Sequence, residues 1–365
     1  MTTLTGAGTP RTTTTAAVPS GAAERTLGRL RAARRARAVR TATVTGVLAA
    51  LLLALTAASV LLGGVGEVAP REVLPAMFGQ GAGLADYLIF QLRMPRALTA
   101  VLAGALFGLA GALYQRLVRN PLATPDIVGV SAGAGAGAVT VMVLAPSFLA
   151  AAPLAAVLGS FVLVGAVHAL SWHRGIDTYR LVLVGIGLGA VCAAYTNYLL
   201  AMADQSSIAV AMRWLVGTVN GADWDGVGTL AVGLACCLVL TAVLHRALMT
   251  MALGDPTATG LGTKVGRTRV LALLLGAAAA ALATSVVGPI AFVSLVSGPI
   301  AVRLVGGDRS VALSPLVGAV LVIGADVLAR NAPLISPVPT GVLTALLGAP
   351  YFVWLILRRR QGAES

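Results

Sequence analysis

Arginines stand beside an apolar run in the stretch RMPRALTAVLAGALFG, where Arg93 and Arg96 precede about twenty residues without charge. Guanidinium heads at such a position either reach water at a helix end or bind acidic groups of another molecule. Further along, Arg330 follows Asp326 by four residues, which places both side chains on one face of a helix. A carboxylate at the centre of a bilayer would cost about 2.5 to 3.5 kcal/mol, so we expect Asp326 to pair with Arg330. The alternative role for this carboxylate is a proton relay.

A second polar segment, ALGDPTATGLGTKVG, separates two later apolar runs. Asp255 is a natural N-cap, Pro256 suits the first helical position, and Gly260 can close the turn. This pattern predicts a very short helix at about residues 253–264. It is either a connector or a handle for a soluble partner. The stretch GLGTKVG lacks the Gly-Lys-Ser/Thr ending of a phosphate-binding loop, so no ATP site is predicted.

Other side chains that could catalyse a reaction or bind a metal are few and scattered. Three cysteines lie inside apolar runs, where a thiol behaves as a small hydrophobe, and the adjacent pair could form a disulfide only with severe strain. Three histidines are too dispersed for a metal site. We therefore predict no catalytic residue, metal or cofactor. These residues are Cys192, Cys236, Cys237, His168, His173 and His245.

The composition identifies the elements that must position these residues. Of the residues, 58% are hydrophobic and 11% charged, and the mean hydropathy is +0.90, which excludes a water-soluble globule. A helix needs about 20 apolar residues to cross a bilayer, and charge-free intervals of that order recur along the chain. They cover residues 41–66, 97–115, 127–173, 181–203, 226–245, 270–302, 310–325 and 331–357. This pattern predicts an all-α, polytopic membrane protein.

Two of these intervals are too long for one helix. Pro146 and Pro153 divide the interval 127–173 into two spans. Gly288 with Pro289 marks a reversal within the interval 270–302, so that the basic residues before and after this interval lie on the same side of the membrane. Glycines at helix-packing spacing, in predicted spans 2, 3 and 5, favour close contact between helices. The ten predicted spans cover residues 43–63, 96–115, 127–145, 150–172, 180–203, 227–245, 268–286, 290–304, 311–329 and 339–357.

The charges also predict sidedness. This arrangement places 21 basic residues on the side of the two termini and leaves five on the other, so the termini are predicted to be cytoplasmic. The net charge of +13 therefore reflects membrane orientation, and no nucleic acid is expected as a partner. We predict a disordered basic tail at residues 1–40, a transmembrane domain at 41–360 and a cytoplasmic C-terminal end at 361–365.

Four long stretches resemble the FecCD family: RMPRALTAVLAGALFGLAGALYQRLVRNPLATPDIVGVSAGA, LGDPTATGLG, VVGPIAFVSLV and PTGVLTALLGAPYFVWLILRRR. They occur in the family's order and spacing, and the resemblance covers about residues 45–360. Members of this family are permease subunits of ATP-binding-cassette (ABC) importers for ferric siderophores, haem and vitamin B12. The resemblance implies the ten-helix type II ABC importer permease fold in the cytoplasmic membrane.

The resemblance also implies roles for particular residues. In the family, a coupling segment docks into the ATPase, outer arginines meet acidic residues of the substrate-binding protein, and two loops line the inner gate. The implied coupling residues are Leu253, Gly254, Asp255, Pro256, Ala258, Leu261 and Gly262. The implied docking residues are Arg93, Arg96 and Arg330, and the gate residues are Asn120, Pro121, Leu122, Ala123, Thr178 and Tyr179. At the position of Tyr179 the family usually has a small residue.

The implied partners are two copies of a cytoplasmic ATPase, an extracytoplasmic siderophore-binding protein, membrane lipid, and a second permease that is either the same chain or a different one. ATP hydrolysis belongs to the ATPase, so the chain itself is not expected to be an enzyme. An iron(III)-siderophore complex is the expected cargo, although haem or cobalamin would need no visibly different motif. Two other classes of protein fit the sequence less well. An ion-driven secondary transporter would require paired intramembrane acids, and the only candidate is Asp326. An intramembrane enzyme would require clustered His and carboxylates, which the sequence does not show.

One stretch departs from the family pattern. Where the family commonly has Val-Pro-His-Ile-Ala-Arg, this chain has Ser297, Gly298 and Pro299, and the arginine is displaced to Arg303. The proline has moved by one position and the histidine is absent. A role of that histidine in the pathway therefore does not carry over to this chain.

Overall fold

The computed structural model describes residues 20–62, 84–171, 178–306, 310–331 and 338–361, and the regular elements in these ranges are helices. The longer ones are α1 (Ser20–Leu61), α2 (Met94–Val118), α3 (Val130–Leu144), α4 (Ala152–Ser171), α5 (Thr178–Met202), α6 (Gln205–Val216), α7 (Trp224–Met251), α8 (Asp255–Gly260), α9 (Val265–Val287), α10 (Val293–Val305), α11 (Ser310–Asn331) and α12 (Thr340–Gln361). A helical turn (Leu84–Tyr87) and a π-helix (Leu88–Arg93) precede α2, and 3₁₀ turns at Pro125–Val128 and Pro146–Ala151 precede α3 and α4.

Each of the ten predicted spans overlaps one of the longer helices, and the two remaining longer helices in the described ranges, α6 and α8, lie between spans. Seven helices in the described ranges are long and apolar enough to cross a membrane, and α3, α10 and the apolar part of α12 are shorter. The 13 residues of α10 rise only about 20 Å, less than the hydrocarbon thickness. Because α10 is shorter than the hydrocarbon layer, irregular backbone next to it lies within the membrane, which is tolerated where protein surrounds it.

The structure differs from the prediction at the N-terminal tail. Helix α1 begins at Ser20, so the half of the tail from residue 20 to residue 40 is helical rather than disordered. This half is rich in Ala and Arg, which favour helix, and the adjoining span removes the cost of nucleation. Residues 1–19 and the predicted C-terminal end beyond Gln361 lie outside the described residues.

Helix α6 was not predicted. It is amphipathic and only 12 residues long, too short to appear among the charge-free intervals. Its start was visible in the sequence, because the side chain of Asp204 accepts hydrogen bonds from the backbone N–H groups of Ser206 and Ser207 as an N-cap.

Helix α2 is the buried centre of the bundle and packs against α7, α9, α10 and α11. A Cβ at any of three glycines of α2 would lie within 2.4 Å of a backbone oxygen of a neighbouring helix. These contacts pair Gly104 with Gly318, Gly108 with Ser314, and Gly111 with Ser294. Small residues thus bring backbones together where hydrophobic driving force is weak, as the sequence predicts.

The glycines of α5 behave differently from this prediction. Gly185 packs against the carbonyl of Ile127, but Gly187 has no atom within 4 Å of an added Cβ, and the nearest to Gly189 is Ala132 at 3.9 Å. Many apolar side chains of α5 and α7 are exposed in the isolated chain. Close backbone packing within the chain therefore occurs around α2 and between α3 and α4, where a Cβ at Gly137 would lie 2.1 Å from the carbonyl oxygen of Ala155.

The reversal predicted near Gly288 is present between α9 and α10. Gly288 has a φ of +71°, and a Cβ there would meet the carbonyl oxygen of Trp214 at 2.2 Å. Only glycine combines this backbone conformation with such a close approach.

Candidate functional site

Asp326 is the centre of a polar cluster at the predicted outer end of the bundle. Arg96 donates to it from Nε at 3.2 Å to each carboxylate oxygen and from Nη2 to Oδ1 at 2.9 Å. Nη2 of Arg330 lies 3.0 Å from Oδ2, which is the ion pair expected from the four-residue spacing. Thr340, the first residue of α12, donates from Oγ1 to Oδ1 at 3.2 Å. One carboxylate therefore joins α2, α11 and α12.

The arginines extend this network to α1. Nη1 of Arg93 donates to the carbonyl of Val60 at 3.0 Å. Arg330 donates from Nη1 to the carbonyl of Ser59 at 3.3 Å and from Nη2 to the hydroxyl of the same residue at 2.6 Å. These carbonyls belong to the last turn of α1, which has no intrahelical donors for them.

We call Arg93, Arg96, Arg330 and Asp326 the arginine cluster. Asp326 is fully buried, Arg93 is 4% exposed, and the side chains of Arg96 and Arg330 are 14% and 7% exposed. Heads that merely reached water at a helix end would be exposed, so the snorkelling interpretation is wrong for these residues. Docking of a binding protein stays a prediction, because in the isolated chain these groups bind the chain's own helices.

The coupling segment forms the predicted short helix, with different caps. Gly254, at φ +103°, is the N-cap and Asp255 is the first helical residue, so the carboxylate of Asp255 does not cap the helix. Gly262, at φ +82°, supplies the left-handed residue after the helix, instead of Gly260. Ala258, a residue of this helix, is fully buried. The segment is thus held in place on one side.

Instead of capping α8, Asp255 forms two ion pairs. Its Oδ1 lies 2.7 Å from Nη2 of Arg119, the residue that ends α2, and its Oδ2 lies 2.8 Å from Nη2 of Arg269 in α9. The hydrogen bond from Arg269 is the main cause that lowers the pKa of Asp255 below its ordinary value, and the charges of both arginines act in the same direction. The carboxylate is therefore ionised at neutral pH.

Two large apolar side chains flank α8 and remain exposed. Leu253 and Leu261 are 63% and 61% exposed, at the end of the bundle that the charges predict to be cytoplasmic. A helix presenting two leucines beside a buried alanine offers an apolar surface to another protein.

The predicted gate loop follows Arg119 directly. The side-chain oxygen of Asn120 accepts a hydrogen bond from the backbone N–H of Leu122 at 3.0 Å, and the N–H of Ala123 donates to the carbonyl of Asn120 at 3.0 Å. The loop is thus a compact turn, which Pro121 stiffens. Tyr179 is exposed at the start of α5, and the side chain of Thr178 lies outside the described residues.

The family is identified by comparison with known proteins. The sequence profile of the FecCD transport family matches residues 51–358. The chain belongs to the FecCD transport family. The ten apolar helices within its described residues and its family make it a multi-pass membrane transport permease.

Relatives in the FecCD family cover most of the chain. The ferric enterobactin transport system permease protein FepG of Escherichia coli (strain K12) is 36% identical over 79% of this chain and 87% of its own length. The achromobactin transport system permease protein CbrC of Dickeya dadantii (strain 3937) is 37% identical over 90% and 96%. A solved inward-facing structure of a metal-chelate type ABC transporter superposes with a TM-score of 0.75 at 26% identity, over 87% of this chain and 99% of that one.

The departure from the usual FecCD pattern has a structural counterpart in α10. Pro299 has no N–H for the carbonyl of Leu295, four residues before it. The side-chain amide of Gln115 in α2 donates to this carbonyl instead, from Nε2 at 2.9 Å. Gly298 leaves room for that amide, since a Cβ there would lie 1.9 Å from Oε1 of Gln115. A cavity of about 210 Å³ is lined by Gln115, Gly298 and Pro299 together with Pro121 of the gate loop.

The displaced arginine of this FecCD chain also has defined partners. The guanidinium carbon of Arg303 lies 4.2 Å from the ring centroid of Trp354 and 5.7 Å from that of Tyr351, both in α12. This cation–π contact joins α10 to α12 at the predicted cytoplasmic end.

Residue-by-residue assignment from the FecCD resemblance missed the partners of Asp255. One signal was available: Asp255 is the only acidic residue between positions 226 and 307, in a region with several basic ones. An isolated carboxylate among arginines is expected to pair with one of them. Which arginines those are depends on contacts between distant helices.

Proposed function

We propose that the chain is the permease subunit of an ABC importer that carries an iron(III)-siderophore complex across the cytoplasmic membrane. The observation that carries this proposal is the FecCD match over residues 51–358, joined to relatives named for ferric enterobactin and achromobactin transport. The structural neighbour, of metal-chelate type, supports the same cargo class. The charge distribution supports cytoplasmic termini.

The short helix α8 supports coupling to an ATPase. Leu253 and Leu261 form the exposed apolar surface beside it, and the ATPase is the partner whose groove would bury them. Two copies of the ATPase would serve two permeases. When ATP draws the ATPases together, each copy of α8 would move with them and tilt the spans between outward-open and inward-open states.

A second permease would pack against the exposed side of α5. Asn197 and Tyr198 are exposed on this helix, and their polar groups would be costly against lipid hydrocarbon. A partner subunit or an aqueous pathway between two subunits satisfies such groups. Homodimeric and heterodimeric pairing fit this face equally well.

At the outer end, the arginine cluster would underlie the docking surface for the substrate-binding protein. Arg96 is the member with the most exposed side chain, and its Nη1 donates to the exposed Asn220 at 3.0 Å. Acidic groups of a binding protein would meet this edge of the cluster and fix the register of the complex. Arg93 and Arg330 would hold the helix ends beneath it.

The test is reconstitution of the chain in proteoliposomes with the ATPase and the binding protein of the same system. We expect ATP-dependent uptake of one ferric siderophore from a panel of catecholate, hydroxamate and citrate chelates, with ATPase activity stimulated by the loaded binding protein. The double variant Leu253→Glu/Leu261→Glu should lose the ATPase on co-purification. Absence of stimulation by every chelate would refute the iron-siderophore proposal.

Cobalamin is the alternative cargo. The vitamin B12 import system permease protein BtuC of Klebsiella pneumoniae is 34% identical over 85% of this chain and 92% of its own length. Cobalamin is therefore included in the same panel, together with haem. Uptake of cobalamin with no uptake of iron chelates would transfer the proposal to that substrate and leave the ABC importer assignment intact.

A further inference from the structure

The carboxylate of Asp255 bridges two helices that are distant in sequence. Each of its oxygens contacts a different arginine: Oδ1 is 2.7 Å from Arg119 at the end of α2, and Oδ2 is 2.8 Å from Arg269 in α9. Both side chains thus approach α8 from the membrane helices. A six-residue helix has little stability of its own, so its position depends on such attachments.

Arg119 occupies a backbone position that ordinarily favours glycine. It ends α2 with φ +55° and ψ +31°, the left-handed conformation, which costs a non-glycine residue free energy. Its side chain compensates with contacts to other elements, since Nη2 also donates to the carbonyl of Met251 in the last turn of α7 at 3.1 Å. The presence of arginine here is explained by what its guanidinium binds.

Arg119 also stands directly before the gate loop. The next residue, Asn120, forms the turn with Leu122 and Ala123, so any movement of Arg119 is passed to this loop through one peptide bond. The chain Asp255, Arg119, Asn120 is therefore a continuous physical connection from the coupling helix to the predicted gate. Arg269 provides the second connection, to α9.

We propose that Arg119, Asp255 and Arg269 form a tether that transmits displacement of α8 to the end of α2 and to the gate loop. This inference rests on the proposed ABC importer function and adds positioning residues to it. None of the three contacts the cargo in this proposal. Asp255 faces the permease itself, and Leu253 and Leu261 remain exposed for the ATPase.

The chain offers a matched control for each of the two arginines in the tether. Arg116, one turn before Arg119, donates to the carbonyl of Leu248 at 3.4 Å and to the sulfur of Met249, both in α7. Arg267, two residues before Arg269, has an exposed side chain. Arg116→Gln and Arg267→Gln therefore make the same change of charge nearby while keeping the tether.

The experiment uses the complete complex with its ATPase and binding protein, and the panel chelate that the wild-type complex transports. The variants are Arg119→Gly, Arg269→Gln and Asp255→Asn. Arg119→Gly is the most informative variant, because it removes the whole side chain of Arg119 and glycine adopts the left-handed backbone without strain. Three quantities are measured: ATPase co-purified per permease, ATP hydrolysed, and chelate transported per ATP.

We expect the ATPase to remain bound in all three variants while chelate transported per ATP falls about two- to fivefold, the scale of exposed ion pairs and modest coupling. Arg119→Lys should restore part of the loss. The half-exposed pair of Arg119 and Asp255 also predicts that high salt lowers the ratio in the wild type more than in Arg119→Gly.

Equal transport per ATP in the tether variants and the two controls would overturn the tether. Loss of the bound ATPase in Asp255→Asn would also overturn it, since Asp255 would then be a docking contact. Failure of the proposed function is distinguishable, because it would show as no uptake and no stimulated ATPase activity in the wild-type complex.

Discussion

Replacing Asp326 by Asn tests whether the arginine cluster holds the outer ends of the helices together. Asparagine keeps the shape of the side chain and removes its charge, which leaves Arg96 and Arg330 without their carboxylate. Removing one partner of a buried ion pair costs about 3 to 5 kcal/mol. Because Arg96 retains some exposure, we take the lower end, about 3 kcal/mol, which lowers the ratio of folded to unfolded chain on the order of 100-fold.

The assay uses a buried thiol as the reporter. Cys237 is buried, whereas Cys236 is exposed and Cys192 is partly exposed, so the last two are replaced by Ser. Denaturant is titrated in detergent micelles, and labelling of Cys237 by a maleimide dye reports unfolding. Asp326→Asn should shift the midpoint to clearly lower denaturant concentration.

The control is Asp225→Asn, an exposed carboxylate in the first turn of α7, which should cost less than about 1 kcal/mol. The double variant Asp326→Asn/Arg330→Gln should lose less than the sum of its single variants, by about 0.5 to 3 kcal/mol, because it no longer buries Arg330 without a carboxylate. If Asp326→Asn shifts the midpoint no more than Asp225→Asn does, the cluster does not stabilise the fold and the reasoning is refuted.

Two further variants test the packing around α2 with the same labelling assay. Gly111→Ala should destabilise the chain by about 1 to 3 kcal/mol, because its Cβ would lie 1.8 Å from the backbone oxygen of Ser294 and only helix displacement could relieve that contact; an unchanged midpoint would contradict the close approach. Gln115→Leu should cost about 1 to 3 kcal/mol by leaving the carbonyl of Leu295 without a donor. In a Pro299→Ala background the backbone N–H can bond this carbonyl, so the cost of Gln115→Leu should shrink, and an equal cost in both backgrounds would be inconsistent with this role.

Several features could be predicted from the sequence because they depend on neighbouring residues. A four-residue spacing placed Asp326 and Arg330 on one helix face, and the structure has that ion pair at 3.0 Å. The Gly-Asp-Pro sequence predicted the helix of the coupling segment, although the N-cap is Gly254 instead of Asp255. The cap was misassigned because the attraction of two arginines, absent from any local pattern, turned the carboxylate away from the backbone.

Arg93 and Arg96 show what local sequence patterns could not predict. Their position before a charge-free run was compatible with exposed heads, and the structure buries them against α1 and α11 instead. Their partners are 33 and 230 residues away along the chain. No spacing rule reaches across such distances, so burial of these arginines could not be derived from the motif.

By itself, the sequence determined the helical class, the number of spans and their approximate ends, because the length of hydrocarbon a helix must cross and the cost of placing charge inside it act on each segment separately. Only the tertiary structure decided which helix end each arginine joins. Asp255 meets Arg119 across 136 residues and Asp326 meets Arg96 across 230, and these pairings arise from packing around α2, where glycines let backbones approach and bring distant charges within hydrogen-bonding distance.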